Sequence, residues 1–238
     1  MMASLLKQRV IQILLSIKDY AKIISIYGSY SGTNVGIITP KSDIDFIVIF
    51  KNESNPYFIS SIIEKELITN NINYDYNWYI EDYFFSLLNQ NIDLYLWKSV
   101  FLEGEVIFDD SNFLALIKSK FKDIDLEDDF ISTYNFRKKH INKNIKTWAR
   151  NLSRILFDYI GKLYCEKKNI TDWSSVPQNR ELIKISYEQD IIRKDIYCSF
   201  QRLREISKIS LEEMDKNRTE IIKELSNLDS KILHFVKL

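Results

Sequence analysis

Asp43 and Asp45 stand two residues apart at the entrance to an apolar run, Phe46 to Phe50, whose β-branched and aromatic side chains are those of a buried strand. Carboxylates leading straight into a core strand are costly to desolvate without a partner. The pair therefore constrains both the local backbone and what it can face. Upstream, a second apolar run, Ile23 to Tyr27, stops at Gly28-Ser29, and a loop punctuated by Gly32 and Gly36 connects the two runs. The segment Tyr27 to Phe50 is read as strand, tight turn, loop and strand.

Residues two apart on a strand share a face, so Asp43 and Asp45 are expected to project together with Cα atoms about 7 Å apart. Two like charges so placed repel, and one of them tends to protonate unless a cation intervenes. Mg²⁺ suits the position, because it takes hard oxygen ligands and is commonly held by one or two carboxylates plus phosphate oxygens. Gly28-Ser29 is the complementary feature: a tight turn with amides and a hydroxyl that can hold phosphate. Ser29 could instead cap a helix and the two aspartates could cap a turn. Their occurrence together favours phosphate and metal.

The Gly-Ser turn, the interval and Ser42-Asp43-Ile44-Asp45-Phe46 resemble the signature of the DNA polymerase β-like nucleotidyltransferase superfamily, which includes minimal and antibiotic nucleotidyltransferases. The interval is a few residues longer than in the minimal members. The resemblance covers about residues 1–112 and implies an α+β domain with a small mixed sheet. It implies a Mg²⁺-dependent transfer of a nucleoside monophosphate, AMP in the first instance, from a nucleoside triphosphate, ATP in the first instance, to an acceptor hydroxyl. By the same resemblance, two Mg²⁺ ions and the triphosphate would be bridged by Asp43 and Asp45, and Gly28 and Ser29 would hold the β- and γ-phosphates. A third carboxylate is required on a following strand. Asp75, in Asn73 to Trp78, is the first choice, where it would help activate the acceptor; Asp93, in Ile92-Asp93-Leu94, is the second. Glu103-Gly104 followed by Glu105 to Phe108 resembles the end of these domains.

Length and composition narrow the alternatives. The 238 residues suit one large or two small domains. No window is apolar enough to span a bilayer, and Lys7, Arg9, Lys18 and Asp19 interrupt Leu5 to Tyr20, which reads as an amphipathic helix rather than a secretion signal. With two cysteines, Cys165 and Cys198, a cysteine zinc site is excluded; both are expected to be reduced core thiols in a cytoplasmic protein. Two histidines, His140 and His234, make a His-rich metal site or a Ser-His-Asp hydrolase a poor fit. Neither Gly-x4-Gly-Lys-Ser/Thr nor Gly-x-Gly-x-x-Gly occurs. The formal net charge is zero but unevenly divided: residues 1–112 carry 8 Lys+Arg against 14 Asp+Glu, and residues 113–238 carry 25 against 19. An acidic half holding metal beside a basic half meeting phosphates would suit a cleft enzyme, though a split of this kind also serves solubility.

Along the chain, strands are expected over 22–27, 43–50 and 72–79, and helices over 5–20, 81–89 and 93–102, with a further helix opened by Ser54-Asn55-Pro56. Alternating strands and helices predict an α+β domain over residues 1–112. From Phe113 the strand signals stop, and the 3.6-residue period predicts a helical bundle over 113–238, with an acidic joint at Asp123 to Asp129 and a loop at Lys167 to Gln178. Within the bundle, Ile141, Ile145, Trp148, Leu152, Ile155 and Tyr159 form one apolar face, with Lys139, Lys143, Lys146, Arg150 and Arg154 in a line opposite it. A solvated face is the plainer reading of that line; the other is a rail about 22 Å long for triphosphate or a nucleic-acid backbone. Tyr74, Tyr76 and Trp78 read as core rather than as a base-stacking platform. Beside the nucleotidyltransferase stand two other classes: a toxin-antitoxin or regulatory binding protein that kept the fold, and a nucleic-acid-binding module using the basic line. The acceptor is left open between small molecule, RNA and protein.

Overall fold

Ala21–Tyr27, Ile44–Phe50, Tyr74–Ile80 and Glu105–Asp109 are strands β1 to β4 in the computed structural model, which describes residues 2–31, 43–121, 126–139, 144–171, 176–177 and 179–236. They form a four-stranded mixed sheet in the order β3-β2-β1-β4, with β1 antiparallel to both neighbours and β2 parallel to β3. A parallel pair needs a crossover, and helix α2 (Pro56–Thr69) supplies it. Its start is set by Asn55, whose side chain accepts from Phe58 N at 3.2 Å, with Pro56 at the first helical position. The fold class is α+β.

Period-2 alternation gives the sheet two different faces. Ile24 and Ile26 of β1 and Ile44, Phe46, Val48 and Phe50 of β2 bury against Val10 and Leu14 of α1 (Met2–Leu15) and Ile59, Ile63 and Leu67 of α2. Tyr74, Tyr76 and Trp78, each partly buried, pack against the same cluster, with Phe46 stacked on Tyr76 at 4.7 Å. The opposite face takes Tyr27, Asp45, Asp75, Asn77 and Tyr79. Helices α3 (Glu81–Asn89) and α4 (Leu94–Phe101) cover part of it: Ser25 Oγ donates to Val100 O at 2.7 Å, and Tyr79 meets Trp97 edge-on at 5.2 Å. Trp97 is fully buried and packs edge-on against Phe84. These buried rings are the apolar payload of that layer, at about 1.5–3 kcal/mol for each large side chain.

The Glu-Gly signal has a steric cause. A Cβ on Gly104 would lie 2.2 Å from Val100 O and 3.0 Å from Ile26 O, so only glycine lets the chain turn from α4 into β4. Next to it, the nearly buried Lys98 ammonium pairs with Glu103 at 2.7 Å.

The chain divides into two compact units, 1–123 and 124–238. Helix α5 (Phe113–Lys120) lies in the first, so that unit runs past residue 112 and includes a helix the sequence reading gave to the bundle. The N-terminal helix ends at Leu15, and a separate short turn covers Lys18–Tyr20. The second unit holds helices α6 (Leu126–Lys138), α7 (Ile145–Lys168), α8 (Asn179–Glu188), α9 (Lys194–Lys208), α10 (Leu211–Lys216) and α11 (Arg218–Phe235). Helix α7 is its centre, burying Ile145, Leu152, Ile155, Leu156, Phe157 and Ile160 among others.

Two sequence expectations are corrected here. The basic line does not lie on one helix: α6 ends at Lys138, Lys139 follows that end, and α7 begins only at Ile145, leaving Lys146, Arg150 and Arg154 on it. The cause is Asn144, whose side chain accepts from Thr147 N at 2.7 Å and caps a new helix. Ile141 and Lys143 lie outside the described residues, as do His140 and most of the loop after Asn169. The second correction concerns the thiols: Cys165 is buried as expected, but Cys198 is exposed. Among the described residues no helix is long and apolar enough to cross a membrane.

Candidate metal centre

Sheet register brings the site together. Tyr27 stands opposite Asp45 in the β1–β2 ladder, and Asp45 stands opposite Asp75 in the β2–β3 ladder. Asp43 precedes β2 by one residue, and because Ile44 is fully buried on the core face, its neighbours Asp43 and Asp45 are on the other. One carboxylate oxygen each from Asp43, Asp45 and Asp75 lies within 4.8 Å of the others. Asp43 and Asp75 are exposed and Asp45 is half-buried. Among the described residues this is the group of acidic, cysteine or histidine side chains that converges in this way.

The donor set fits a hard divalent cation. Octahedral Mg²⁺ at 2.0–2.1 Å from each oxygen spans about 2.9 Å between adjacent ligands and about 4.1 Å between opposite ones. Three oxygens within 4.8 Å of one another lie close to that range. The three negative charges also act on their surroundings. Burial, and then the Asp45 carboxylate, hold the Tyr27 hydroxyl above its ordinary pKa, with a hydrogen bond from Asn77 opposing in part. Tyr30 is raised in the same way by burial and then by Asp43.

The Gly28 turn lies against this group. Gly28 opens the short turn Gly28–Tyr30 with φ +73°, and a Cβ there would sit 2.3 Å from Asp45 Oδ2. Both the positive φ and the close approach require glycine. The backbone of Ser29 is in the same turn; its side chain lies outside the described residues, as does the loop 32–42. Asp93 does not join the carboxylate group: it is buried at the start of α4 with φ +58°.

The sequence reading missed two residues. Asn77, exposed on edge strand β3, donates through Nδ2 to Tyr27 Oη at 3.3 Å. Period-2 spacing from Asp75 marks Asn77 as a same-face residue, but only the strand pairing brings Tyr27 to it. A separate cavity of about 340 Å³ in the second unit is lined by Arg202, Glu205, Glu213, Glu220 and Glu224. Its guanidinium is already held by Glu224 and Glu205, so it is a poor phosphate site.

No family model matches the chain, and no curated protein matches it.

Proposed function

We propose that the chain is a Mg²⁺-dependent nucleotidyltransferase that moves a nucleoside monophosphate, AMP in the first instance, from a nucleoside triphosphate to an acceptor hydroxyl. The observation that carries this reading is the convergence of Asp43, Asp45 and Asp75 within 4.8 Å, with Gly28 against Asp45. The resemblance of the Gly-Ser and Asp-x-Asp segments to the polymerase β-like superfamily supports it further.

Asp43, Asp45 and Asp75 would hold the cations, two in number by the resemblance, and these would neutralise charge on the attacking and leaving oxygens of an in-line displacement. The backbone amides of the Gly28–Tyr30 turn would donate to the β- and γ-phosphates. Asp75, exposed at the open edge of the sheet, takes the proton of the acceptor hydroxyl. The acceptor oxygen then bonds to the α-phosphorus, the bond from that phosphorus to the oxygen bridging to the β-phosphate breaks, and pyrophosphate leaves.

Labelled ATP tests the assignment. With wild-type chain, Mg²⁺ and candidate acceptors (RNA, protein and small hydroxyl compounds), label at the α-phosphate should pass to an acceptor and γ-label should leave in pyrophosphate. Asp45→Asn should abolish both. Transfer of γ-label to an acceptor would indicate a kinase, and equal transfer by Asp45→Asn would remove the carboxylates from the chemistry. Absence of transfer with every acceptor and nucleotide favours the regulatory alternative.

A further inference from the structure

We infer that Tyr27 and Asn77 form a positioning pair for the metal-binding carboxylates; this rests on the metal-centre reading above and extends it to two residues that bind no cation themselves. Tyr27, Asp45 and Asp75 form one row across β1, β2 and β3, and Asn77 follows Asp75 on the same face. Strands β1 and β3 are two ladder spacings apart, about 9.5 Å. The Tyr27–Asn77 hydrogen bond, 3.3 Å long, closes that gap over the strand that carries Asp45.

The chemistry of the pair is directional. The carboxamide donates, so the phenol oxygen accepts and keeps its own proton to give elsewhere. In reaching from β1 to Asn77 on β3, that phenol spans β2 on the sheet face that carries Asp45 and Asp75. A neutral O–H on that face can donate to a ligating carboxylate without competing for the cation, and groups one step out from a metal commonly alter its affinity by 10- to 100-fold. Packing gives no reason for Asn77, which is exposed on an edge strand and is of a type depleted in strands. Its bond to Tyr27 does give one.

Mn²⁺ binding to the full chain, followed by paramagnetic resonance of the free ion, tests the pair without nucleotide or acceptor. Tyr27→Phe keeps the ring and should weaken Mn²⁺ binding by about 10-fold or more. Asn77→Ala should weaken it in the same direction and by less, because it acts through the phenol. In the Tyr27→Phe background, Asn77→Ala should have no further effect, a coupling that general loosening of the sheet would not produce. Unchanged affinity in Tyr27→Phe, or losses that multiply in the double variant, overturns the pairing while leaving the metal centre standing. Should Tyr27→Phe fail to fold, Asn77→Ala alone decides, and unchanged affinity there overturns the proposal. Absence of Mn²⁺ binding by the wild type overturns the metal centre and the pair together.

Discussion

A Cβ on Gly28 would lie 2.3 Å from Oδ2 of Asp45, so the turn after β1 and the carboxylate on β2 occupy positions that no larger residue at 28 permits. Gly28→Ala has two separate costs. The left-handed φ of +73° adds about 1–2 kcal/mol of backbone strain, and the methyl displaces the Asp45 carboxylate. The variant should unfold at lower temperature than wild type and lose the rise in melting temperature that Mg²⁺ gives the wild type. A normal Mg²⁺ response in Gly28→Ala would show that Asp45 can move without consequence.

Three carboxylates within 4.8 Å repel when no cation lies between them. Asp75→Asn removes one of these charges at an exposed position. In chelator it should melt at the same temperature as wild type or higher. With Mg²⁺ at 100 times the dissociation constant, wild type should gain about 2.7 kcal/mol by linkage, and the variant far less. Calorimetric melts in chelator and in Mg²⁺ measure both.

The carboxylate centre was legible in part because some of its signals are local, and the resemblance supplied the rest. Asp43 and Asp45 sit at one strand entrance, Gly28 ends the preceding strand, and Asp75 lies in an aromatic run whose alternation marks a strand. The choice of Asp75 over Asp93 came from the order of elements that the resemblance implies, with the third acid on a strand ahead of a helix that starts with acidic residues. Tyr27 and Asn77 are different. They are 50 residues apart and meet only because β2 lies between β1 and β3, and strand order is not written in either segment. The basic line failed for a converse reason. Residues 141–159 keep a helical period, which hides the break at Asn144, and one capping side chain overrides the pattern.

Asn144 provides a test of that break. Its side chain accepts from Thr147 N at 2.7 Å, satisfying one of the free amides at the start of α7. Asn144→Ala should destabilise the chain by about 1 kcal/mol, read from the midpoint of urea unfolding with an unchanged slope. Asn144→Asp, which caps as well, should restore it.

In the second unit, Arg202 grips Glu224 through two hydrogen bonds of 2.6 and 2.8 Å and holds its carboxyl below the ordinary value, against the opposing effect of burial. A carboxyl lowered in the folded state contributes stability above its unfolded pKa of about 4.3 and loses it as pH falls through the folded value. Both side chains are partly exposed, so the contribution at neutral pH is about 0.5–1 kcal/mol. The stability gap between wild type and Glu224→Gln should therefore be open at pH 7 and close below about pH 4.

A crystal structure of the chain with Mg²⁺ and a non-hydrolysable ATP analogue tests the nucleotidyltransferase assignment most directly. The expected result is Mg²⁺ about 2.0–2.1 Å from carboxylate oxygens of Asp43, Asp45 and Asp75, with the β- and γ-phosphates on the backbone amides of the Gly28 turn. A triphosphate bound away from Gly28, or Mg²⁺ with no ligand from these three aspartates, would contradict it.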